Sequence, residues 1–471
     1  MSARHSIQLG RTTASVSTGT GDIDVEISAD LFALTSTDGT ALGDMSVFSY
    51  TAPGEGRPLL VVFNGGPGSS SAWLHVSGIA AVTVPFDPEL RSGAPVPTAL
   101  VSSPDSVLDA VDLLFVDPIG TGYGKLAADA DRAAVFGVHA DARLFADVIR
   151  AWLRRAGRIG APVHLLGESY GTIRAAAVAA ELGGGFSPVP VVGMALLGQA
   201  LNVQETAQRP GNVIGQVAGM SVLAAIGHFH GLVSAPDLMS AVDEARSFAR
   251  TDYIHALMLG DAMTVDDRHA VAVRLEALTG LAAAEWERRG LWISKEDFRL
   301  ELLRSQGRIV GRYDGRYLAD SWVPRSGDLA LDPSLTAVVP AFSAAMTMIT
   351  VDLLGIEDDR EYTVFDPTAA VGWEWDADAV GPGGPFIRYD YPRMLTRWMR
   401  ENPRSRLLLG TGAHDTLTTV GAVDQLLSTT SLPSERVSVS VYPGGHMMYT
   451  DAAGARALSA DLRRLVREDD R

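Results

Sequence analysis

Residues 163–171 read Val-His-Leu-Leu-Gly-Glu-Ser-Tyr-Gly, a short apolar run that stops at a serine between two glycines. A stretch that favours a helix, residues 170–182, follows at once. The pattern Gly-x-Ser-x-Gly between a strand and a helix predicts a sharp turn that exposes the serine. Gly167 and Gly171 remove side chains that would clash in that turn. Ser169 is therefore expected at the N-terminus of a helix, where backbone N–H groups favour a developing negative charge.

The C-terminal part of the chain supplies an acid and then a histidine, the order that a serine nucleophile on such a turn requires. Residues 406–410 predict a buried strand that runs towards Asp415, and residues 437–442 predict a half-buried strand that runs towards His446. His446 would accept the serine proton, and Asp415 would orient the imidazole. Each feature has a plainer interpretation: an ordinary strand-to-helix turn, turn histidines at His414 and His446, and an Asp415 that caps a following helix. Three pieces in the required order favour the catalytic interpretation.

An early loop predicts the donors for an oxyanion hole. Residues 59–63 predict a strand that opens into Asn-Gly-Gly-Pro-Gly-Ser-Ser-Ser at 64–71. The expected donors are two backbone N–H groups, one from the residue after the nucleophile, Tyr170, and one from a loop of this kind. A phosphate-binding loop is the competing interpretation, but the pattern Gly-x-x-x-x-Gly-Lys-Ser/Thr is absent from this segment.

These segments resemble the serine carboxypeptidases, together with Asp-Pro-Ile-Gly-Thr-Gly-Tyr at 117–123, Gly445-His446 and a weaker match at 307–317. The resemblance spans most of the chain in the family's order, and the two glycine-rich motifs at 64–68 and 167–171 are its most specific part. It implies an α/β-hydrolase fold with a mostly parallel central sheet and an inserted helical cap. It also implies removal of C-terminal residues from peptides through an acyl-enzyme. The site residues it implies are a triad of Ser169, Asp415 and His446, an oxyanion hole of the N–H groups of Gly66 and Tyr170, and a subsite for the substrate's C-terminal carboxylate made of Asn64, Gly65 and Glu168.

The carboxylate subsite can also be argued from chemistry. Asn64 offers an amide NH₂, whereas Glu168 donates a hydrogen bond only when it is protonated. Glu168 suits the role if burial or a neighbouring carboxylate raises its pKa, although a solvated side chain at this position is equally compatible with the motif alone. The chain departs from the family in two ways. Ser69 stands where a cysteine is common, and no acidic residue lies between Ser69 and Phe86, where many members carry a second glutamate that is bridged to the first. We therefore expect Glu168 to hold its proton less strongly than in acid-active relatives, and peptidase activity to extend closer to neutral pH.

Two other functions share these residues. An esterase or acyltransferase of the same fold would use the same triad, because fold does not fix function. A non-catalytic binding protein with a relic site is the third possibility, and the complete set of triad residues argues against it.

Composition narrows the partners. The formal net charge of −17 argues against nucleic acid and anionic membranes as partners. The expected partner, a peptide with a free C-terminal carboxylate, is what the resemblance to the serine carboxypeptidases implies. The chain has no cysteine, so disulfides and zinc–thiolate sites are excluded. His228 and His230 diverge on a helix and have no evident third ligand, so we expect no metal and no cofactor. Residues 1–20 lack the apolar segment of a signal peptide, and residues 335–351 favour a buried helix over a membrane span, so a cytoplasmic location is expected.

The predicted organisation is a core interrupted by a cap. Residues 1–203 form the first part of the core, 204–343 a helix-rich cap without clear strands, and 344–471 the second part of the core. The chain up to about residue 52 predicts antiparallel hairpins, with residues 48–50 at an edge of the sheet. Strands at 59–63, 112–116, 163–166 and 191–197 alternate with helices such as 140–155, which predicts a mainly parallel sheet.

The tryptophans fall into two groups with different expected surroundings. Trp286, Trp292 and Trp322 are expected to pack in the core or cap. Trp373, Trp375 and the segment Pro-Gly-Gly-Pro at 382–385 mark an irregular loop that is a candidate for the rim of the site.

Overall fold

The computed structural model describes residues 2–87, 89–90, 95–184, 187–321, 332–376 and 389–467, with side chains from residue 6 onwards. The strands are β1 (Ser2–Thr18), β2 (Gly21–Thr35), β3 (Ala41–Thr51), β4 (Leu59–Phe63), β5 (Val82–Thr83), β6 (Val101–Ser102), β7 (Asp112–Val116), β8 (Val163–Glu168), β9 (Val191–Leu197), β10 (Arg308–Val310), β11 (Leu318–Asp320), β12 (Arg406–Gly412) and β13 (Val437–Tyr442). The α-helices are α1 (Ala72–His75), α2 (Val138–Arg155), α3 (Tyr170–Gly183), α4 (Val203–Thr206), α5 (Val213–Phe229), α6 (Leu238–Phe248), α7 (Ile254–Leu259), α8 (Val265–Thr279), α9 (Ala283–Arg288), α10 (Lys295–Glu301), α11 (Pro333–Thr347), α12 (Tyr391–Glu401), α13 (Val420–Thr429) and α14 (Ala452–Arg467).

One central sheet organises the fold. In the described part of the chain, its nine strands lie in the order β1-β2-β3-β7-β4-β8-β9-β12-β13. From β7 to β13 every neighbouring pair is parallel, whereas β1, β2 and β3 add to one side in antiparallel pairs. Parallel neighbours need long crossover connections, and helices supply them here. The predicted α/β architecture with a mostly parallel sheet is therefore confirmed.

The parallel strands are buried on both faces. In β4, Leu59, Val61 and Phe63 belong to one hydrophobic core, and Leu60 and Val62 belong to the other. Successive side chains of a strand point to opposite faces, so a continuous apolar run is what a strand covered on both sides requires. Helices α2, α3 and α12 pack on the first face, and α1, α11 and α14 pack on the second.

The predicted position of one strand is wrong. Residues 48–50 are predicted at an edge of the sheet, but they belong to β3, which lies inside the sheet between β2 and β7. The long hairpin of β1 and β2 extends the sheet beyond β3, and both Phe48 and Tyr50 are fully buried. The other predicted strands are confirmed, and β8 runs two residues further than expected, to Glu168.

Helices α5 to α10 share a separate hydrophobic core. Trp286 is fully buried in it and Trp292 packs against it, whereas Trp322 lies outside the described residues. The expectation that this region lacks strands is wrong, since β10 and β11 pair as a short hairpin. Position 343, where the sequence predicts the end of the cap, lies within α11, which packs against the sheet. The division into core and cap remains a prediction.

Within the described ranges, one helical segment, Pro333–Leu353, which includes α11, is long and apolar enough to cross a membrane by length and composition alone. Of the most apolar stretch of 18 residues in this segment, 44% is buried inside the protein. A single helix of this kind is weak evidence for a membrane span, because helices that pack in a protein core meet the same criterion.

Candidate active site

The turn after β8 has the strained geometry that the sequence predicts. Strand β8 ends one residue before Ser169, α3 begins one residue after it, and Ser169 itself has φ 60° and ψ −126°. A Cβ at Gly167 would collide with the carbonyl of Gly171, and one at Gly171 would lie 3.0 Å from the carbonyl oxygen of Asn64. The N–H of Ser169 donates to the Leu197 carbonyl at 2.9 Å, which ties the turn to the end of β9. Strain of this kind at a serine is typical of a functional position.

The loop after β4, residues 64–68, is called the oxyanion loop below. A Cβ at Gly65 would lie 2.5 Å from the backbone nitrogen of Tyr170, so only glycine allows the loop to approach the turn so closely. Gly66 has φ +106° and precedes a cis peptide bond to Pro67. The N–H of Tyr170 is the first of helix α3 and has no intrahelical partner. The loop and the helix N-terminus therefore bring backbone donors close to the serine.

A buried arginine holds the oxyanion loop from behind. Arg174, on α3, is fully buried and donates to the carbonyl of Asn64. Its Nε lies 2.7 Å from Oδ2 of Asp141, and its Nη2 lies 3.2 Å from Oδ1. The guanidinium also lies 4.5 Å from the ring centre of Phe145 and 5.1 Å from that of Tyr170. A charge without solvent needs such a partner, and here the pair fixes a backbone carbonyl of the site.

The motif at 117–123 supports the same loop. Asp117, directly after β7, accepts hydrogen bonds from the N–H and the hydroxyl of Ser71, each at 2.7 Å. Ser46 and Tyr362 donate to the same carboxyl group at 2.8 and 3.2 Å. Burial raises the pKa of Asp117, and these four donors oppose that shift. The motif thus anchors the segment that follows the oxyanion loop.

The predicted acid and histidine are hydrogen-bonded. Nδ1 of His446 lies 2.7 Å from Oδ2 of Asp415, whose side chain is fully buried. The same carboxylate accepts from the N–H groups of Leu417 and Thr418, at 2.7 and 3.1 Å, and from the Thr418 hydroxyl at 2.5 Å. Helix α13 begins later and is capped by Thr419, so Asp415 does not cap it. Its carboxylate is instead held rigidly against the imidazole.

His446 lies at the same edge of the sheet as the serine turn. Its N–H donates to the Tyr313 carbonyl at 2.6 Å, and the two rings meet edge to face with centres 5.5 Å apart. A Cβ at Gly198 would lie 3.2 Å from Cε1 of the imidazole. Gly198 directly follows Leu197, whose carbonyl binds the N–H of Ser169. The imidazole therefore sits over the end of β9, next to the strained turn.

Glu168 is buried and held by Asn64. Nδ2 of Asn64 donates to Oε1 of Glu168 at 2.9 Å, and the N–H of Leu74 donates to Oδ1 of Asn64 at 3.1 Å, which fixes the amide orientation. Burial raises the pKa of Glu168 to about 7; His446 opposes this shift and Asp415 adds to it. Burial and a neighbouring carboxylate are the two causes of a raised pKa that the sequence analysis considers, and burial is the larger one.

The pKa of His446 is set by opposing effects. Burial favours the neutral imidazole, but the charge and hydrogen bond of Asp415, with a further contribution from Glu168, raise the pKa above its ordinary value. Lys295 acts in the other direction. Burial lowers the pKa of Lys295 itself to about 8, and its Nζ donates to the Leu417 carbonyl at 3.2 Å.

Sequence reasoning missed several residues of this site: Arg174, Lys295, Tyr313 and Thr418. Lys295 carried a weak signal, since Lys125 is the only other lysine in the chain. The others lie close to a predicted site residue in sequence or in a motif already noted, but nothing in the sequence tells which way their side chains point.

The loop that carries Trp373 and Trp375 lies beside the serine turn. The ring of Tyr170 meets those of Trp373 and Trp375 edge to face, with centres 5.2 and 5.7 Å apart. Trp373 is buried, whereas Trp375 is 37% exposed. The segment 382–385 lies outside the described residues.

The two histidines weighed as metal ligands have other surroundings. Nε2 of His230 makes a hydrogen bond of 2.9 Å with the Gly315 carbonyl, and His228 lies in the last turn of α5. Across the described ranges, no group of three or more His, Asp or Glu side chains is arranged to hold a metal ion.

Comparison with known proteins relates one segment of the chain to a protein family. Residues 46–185 match the family model described as serine carboxypeptidase. The matched segment contains the oxyanion loop, Glu168, Ser169 and Tyr170, and it ends before Asp415 and His446. No curated protein sequence matches the chain significantly. The match to the family model confirms the resemblance drawn from the motifs.

Solved structures show the fold. The chain is similar to Kex1ΔP, a prohormone-processing carboxypeptidase from Saccharomyces cerevisiae, with 14% identity and a TM-score of 0.56 over 94% of this chain and 91% of that one. A proline iminopeptidase from Mycobacterium smegmatis matches at 15% identity with a TM-score of 0.39, over 93% and 98% of the two chains. The fold is that of the α/β-hydrolases.

Proposed function

We propose that this chain removes single residues from the C-termini of peptides through an acyl-enzyme. Its residues 46–185 match the serine carboxypeptidase family model. The observation that carries the proposal is the combination of two pairs at one edge of the sheet. One pair, Asp415 and His446, serves a nucleophile, and the other, Asn64 and Glu168, suits a carboxylate.

In the proposed acylation step, Oγ of Ser169 attacks the carbonyl carbon of the last peptide bond while Nε2 of His446 takes the hydroxyl proton. The carboxylate of Asp415 stabilises the imidazolium that forms and holds its tautomer. The N–H groups of Gly66 and Tyr170 donate to the oxygen that becomes negative. The imidazolium then protonates the leaving amine, and the C–N bond breaks.

In the second step, water attacks the acyl-enzyme with His446 again as the base, which releases the shortened peptide and restores Ser169. The turn at Ser169 supports both steps, since its strained backbone is held by the bond to the end of β9. The half-buried serine remains open to a substrate.

The specificity for a free C-terminus is assigned to the second pair. A protonated Glu168 and the amide of Asn64 donate to the substrate's carboxylate, together with the N–H of Gly65. The pKa of about 7 keeps Glu168 largely protonated in mildly acidic solution and about half protonated near pH 7, so an acid can serve as a donor here. The buried site then favours one particular anion, the carboxylate of a peptide terminus.

A blocked dipeptide and its C-terminal amide and methyl ester test this function. Much higher kcat/KM for the free acid than for the amide supports a carboxypeptidase, and indifference to the carboxylate contradicts it while leaving a serine hydrolase. Competition between an added amine and water for the acyl-enzyme tests the acyltransferase alternative.

A second experiment asks whether the site is catalytic at all. A fluorophosphonate probe should label the wild-type protein and not the Ser169→Ala variant, whose turnover should fall by about 10⁴-fold or more. An unreactive wild-type protein with the correct fold would favour a binding function instead.

A further inference from the structure

Two polar atoms beside the nucleophile are buried without a partner. Among the described residues, neither Oε2 of Glu168 nor the hydroxyl of Tyr449 makes a hydrogen bond, although the two residues are only 4% and 2% exposed. Buried polar groups are nearly always satisfied, and an unsatisfied one destabilises the protein. Two such atoms in one place therefore need an explanation.

The two atoms belong to one cluster. Tyr449 lies three residues after His446, in the short turn between β13 and α14, and Glu168 directly precedes Ser169. The hydroxyl of Tyr449 is close enough to interact with both the Glu168 carboxyl and the Asn64 amide, without reaching hydrogen-bond geometry with either. Burial raises the pKa of Tyr449 far above its usual value, and the charge of Glu168 adds to this, so the phenol keeps its proton.

The cluster is rich in donors and poor in free acceptors. Oδ1 of Asn64 is already bound to the N–H of Leu74, and Oε1 of Glu168 to the Asn64 amide. What remains are the hydroxyl of Tyr449, the acid proton of Glu168 on Oε2 and the second hydrogen of the Asn64 amide. Several free donors in one cluster fit a ligand group with several lone pairs and a negative charge, which describes a carboxylate.

We propose that Tyr449 is a specificity-determining residue whose hydroxyl donates to the C-terminal carboxylate of the substrate, alongside Glu168 and Asn64. This inference rests on the function proposed above and assigns a further side chain to its carboxylate subsite. The chain places this donor on the turn that also carries His446. Carboxylate recognition and positioning of the base thus share one short segment.

The variant Tyr449→Phe removes the hydroxyl and keeps the ring. For a blocked dipeptide free acid, kcat/KM should fall about tenfold to a hundredfold, the effect of losing one hydrogen bond to a charged group. The change should appear mainly in KM, because the bond exists in both the ground state and the transition state. Turnover of the methyl ester should stay within about twofold of wild type.

Tyr442→Phe is the matched control. Tyr442 is equally buried, but its hydroxyl donates to Asp461 at 2.7 Å and lies outside the proposed subsite. Its loss should lower the melting temperature and leave the ratio of acid to ester turnover unchanged. Tyr449→Phe should not lower the melting temperature, because it deletes an unpartnered polar atom.

Binding separates this inference from the proposed function. In a Ser169→Ala background, calorimetry should give weaker binding of the blocked dipeptide acid when Tyr449→Phe is added, and no change for the dipeptide amide. If the wild type discriminates for the free acid but Tyr449→Phe does so equally well, the inference is wrong and the proposed function stands. If the wild type does not cleave peptides but binding still depends on both the carboxylate and Tyr449, the proposed function is wrong and the inference stands. Equal losses for acid and ester, or no binding of the acid, overturn the inference.

Discussion

The protonation of Glu168 should give the activity an alkaline limit that exists only for substrates with a free C-terminus. Burial raises the pKa of this carboxyl group to about 7. In the proposed function its protonated form donates to the substrate's carboxylate, and its ionised form repels it. The binding contribution is therefore present below about pH 7 and is lost as the pH rises through that value.

The magnitude follows from the pKa. With a value of about 7, roughly nine-tenths of Glu168 is protonated at pH 6 and roughly one-tenth at pH 8. For the free acid, kcat/KM should fall about tenfold per pH unit above that range. His446 sets the opposite limb, because only the neutral imidazole accepts the serine proton and its pKa is raised. Since Glu168 and His446 interact, the two limbs report apparent pKa values of the pair.

The assay compares pH profiles of a blocked dipeptide acid and its methyl ester. The acid should give a bell and the ester a single rising limb. Glu168→Gln supplies an amide N–H at every pH, so the alkaline limb of the acid should disappear and the acidic limb should move to lower pH. Glu276→Gln is the control. Glu276 lies on α8, a helix that packs in a separate hydrophobic core, so its substitution should leave both limbs in place. Equal alkaline limbs for acid and ester, or a limb that survives in Glu168→Gln, would refute the reasoning.

Three other perturbations have defined outcomes. The folded-state pKa of Glu168 exceeds its ordinary value of 4.5, so the free energy of unfolding falls as the pH rises from about 4.5 to about 7 and stays lower above that window. Glu168→Gln removes this penalty and should raise the free energy of unfolding by up to about 3 kcal/mol at pH 8.5 and far less at pH 5, measured by denaturant titration. Lys295→Met should raise the pKa of His446 and move the acidic limb of ester hydrolysis to higher pH, whereas Lys295→Arg keeps the charge and should not; no movement in either contradicts the assigned coupling. Arg174→Met leaves Asp141 buried without its partner and should lower the free energy of unfolding by about 3–5 kcal/mol, with lower kcat for acid and ester alike. Adding Asp141→Leu should restore stability but not kcat, and recovery of both would contradict a positioning role for Arg174.

The fold could be predicted from sequence where local pattern and burial agree. Continuous apolar runs such as 59–63 and 113–116 favour strands covered on both faces, and the structure has strands there. Residues 48–50 show the limit, because their alternation identifies a strand but not its neighbours. The hairpin of β1 and β2 places them inside the sheet, and that pairing is a long-range contact that no local pattern records.

The candidate site divides in the same way. Ser169 and Gly65 could be located because their backbone demands glycines nearby, which leaves a signal in the sequence. The Thr418 hydroxyl donates to the Asp415 carboxylate, and Tyr449 is proposed to act through its own hydroxyl, but an ordinary threonine or tyrosine carries no mark of such a role in the sequence. What exposes Tyr449 is a missing hydrogen bond, a property that exists only once the surrounding atoms are in place. A motif therefore locates the chemistry of such a site, whereas the groups that select its substrate are found by asking which buried polar atoms still lack a partner.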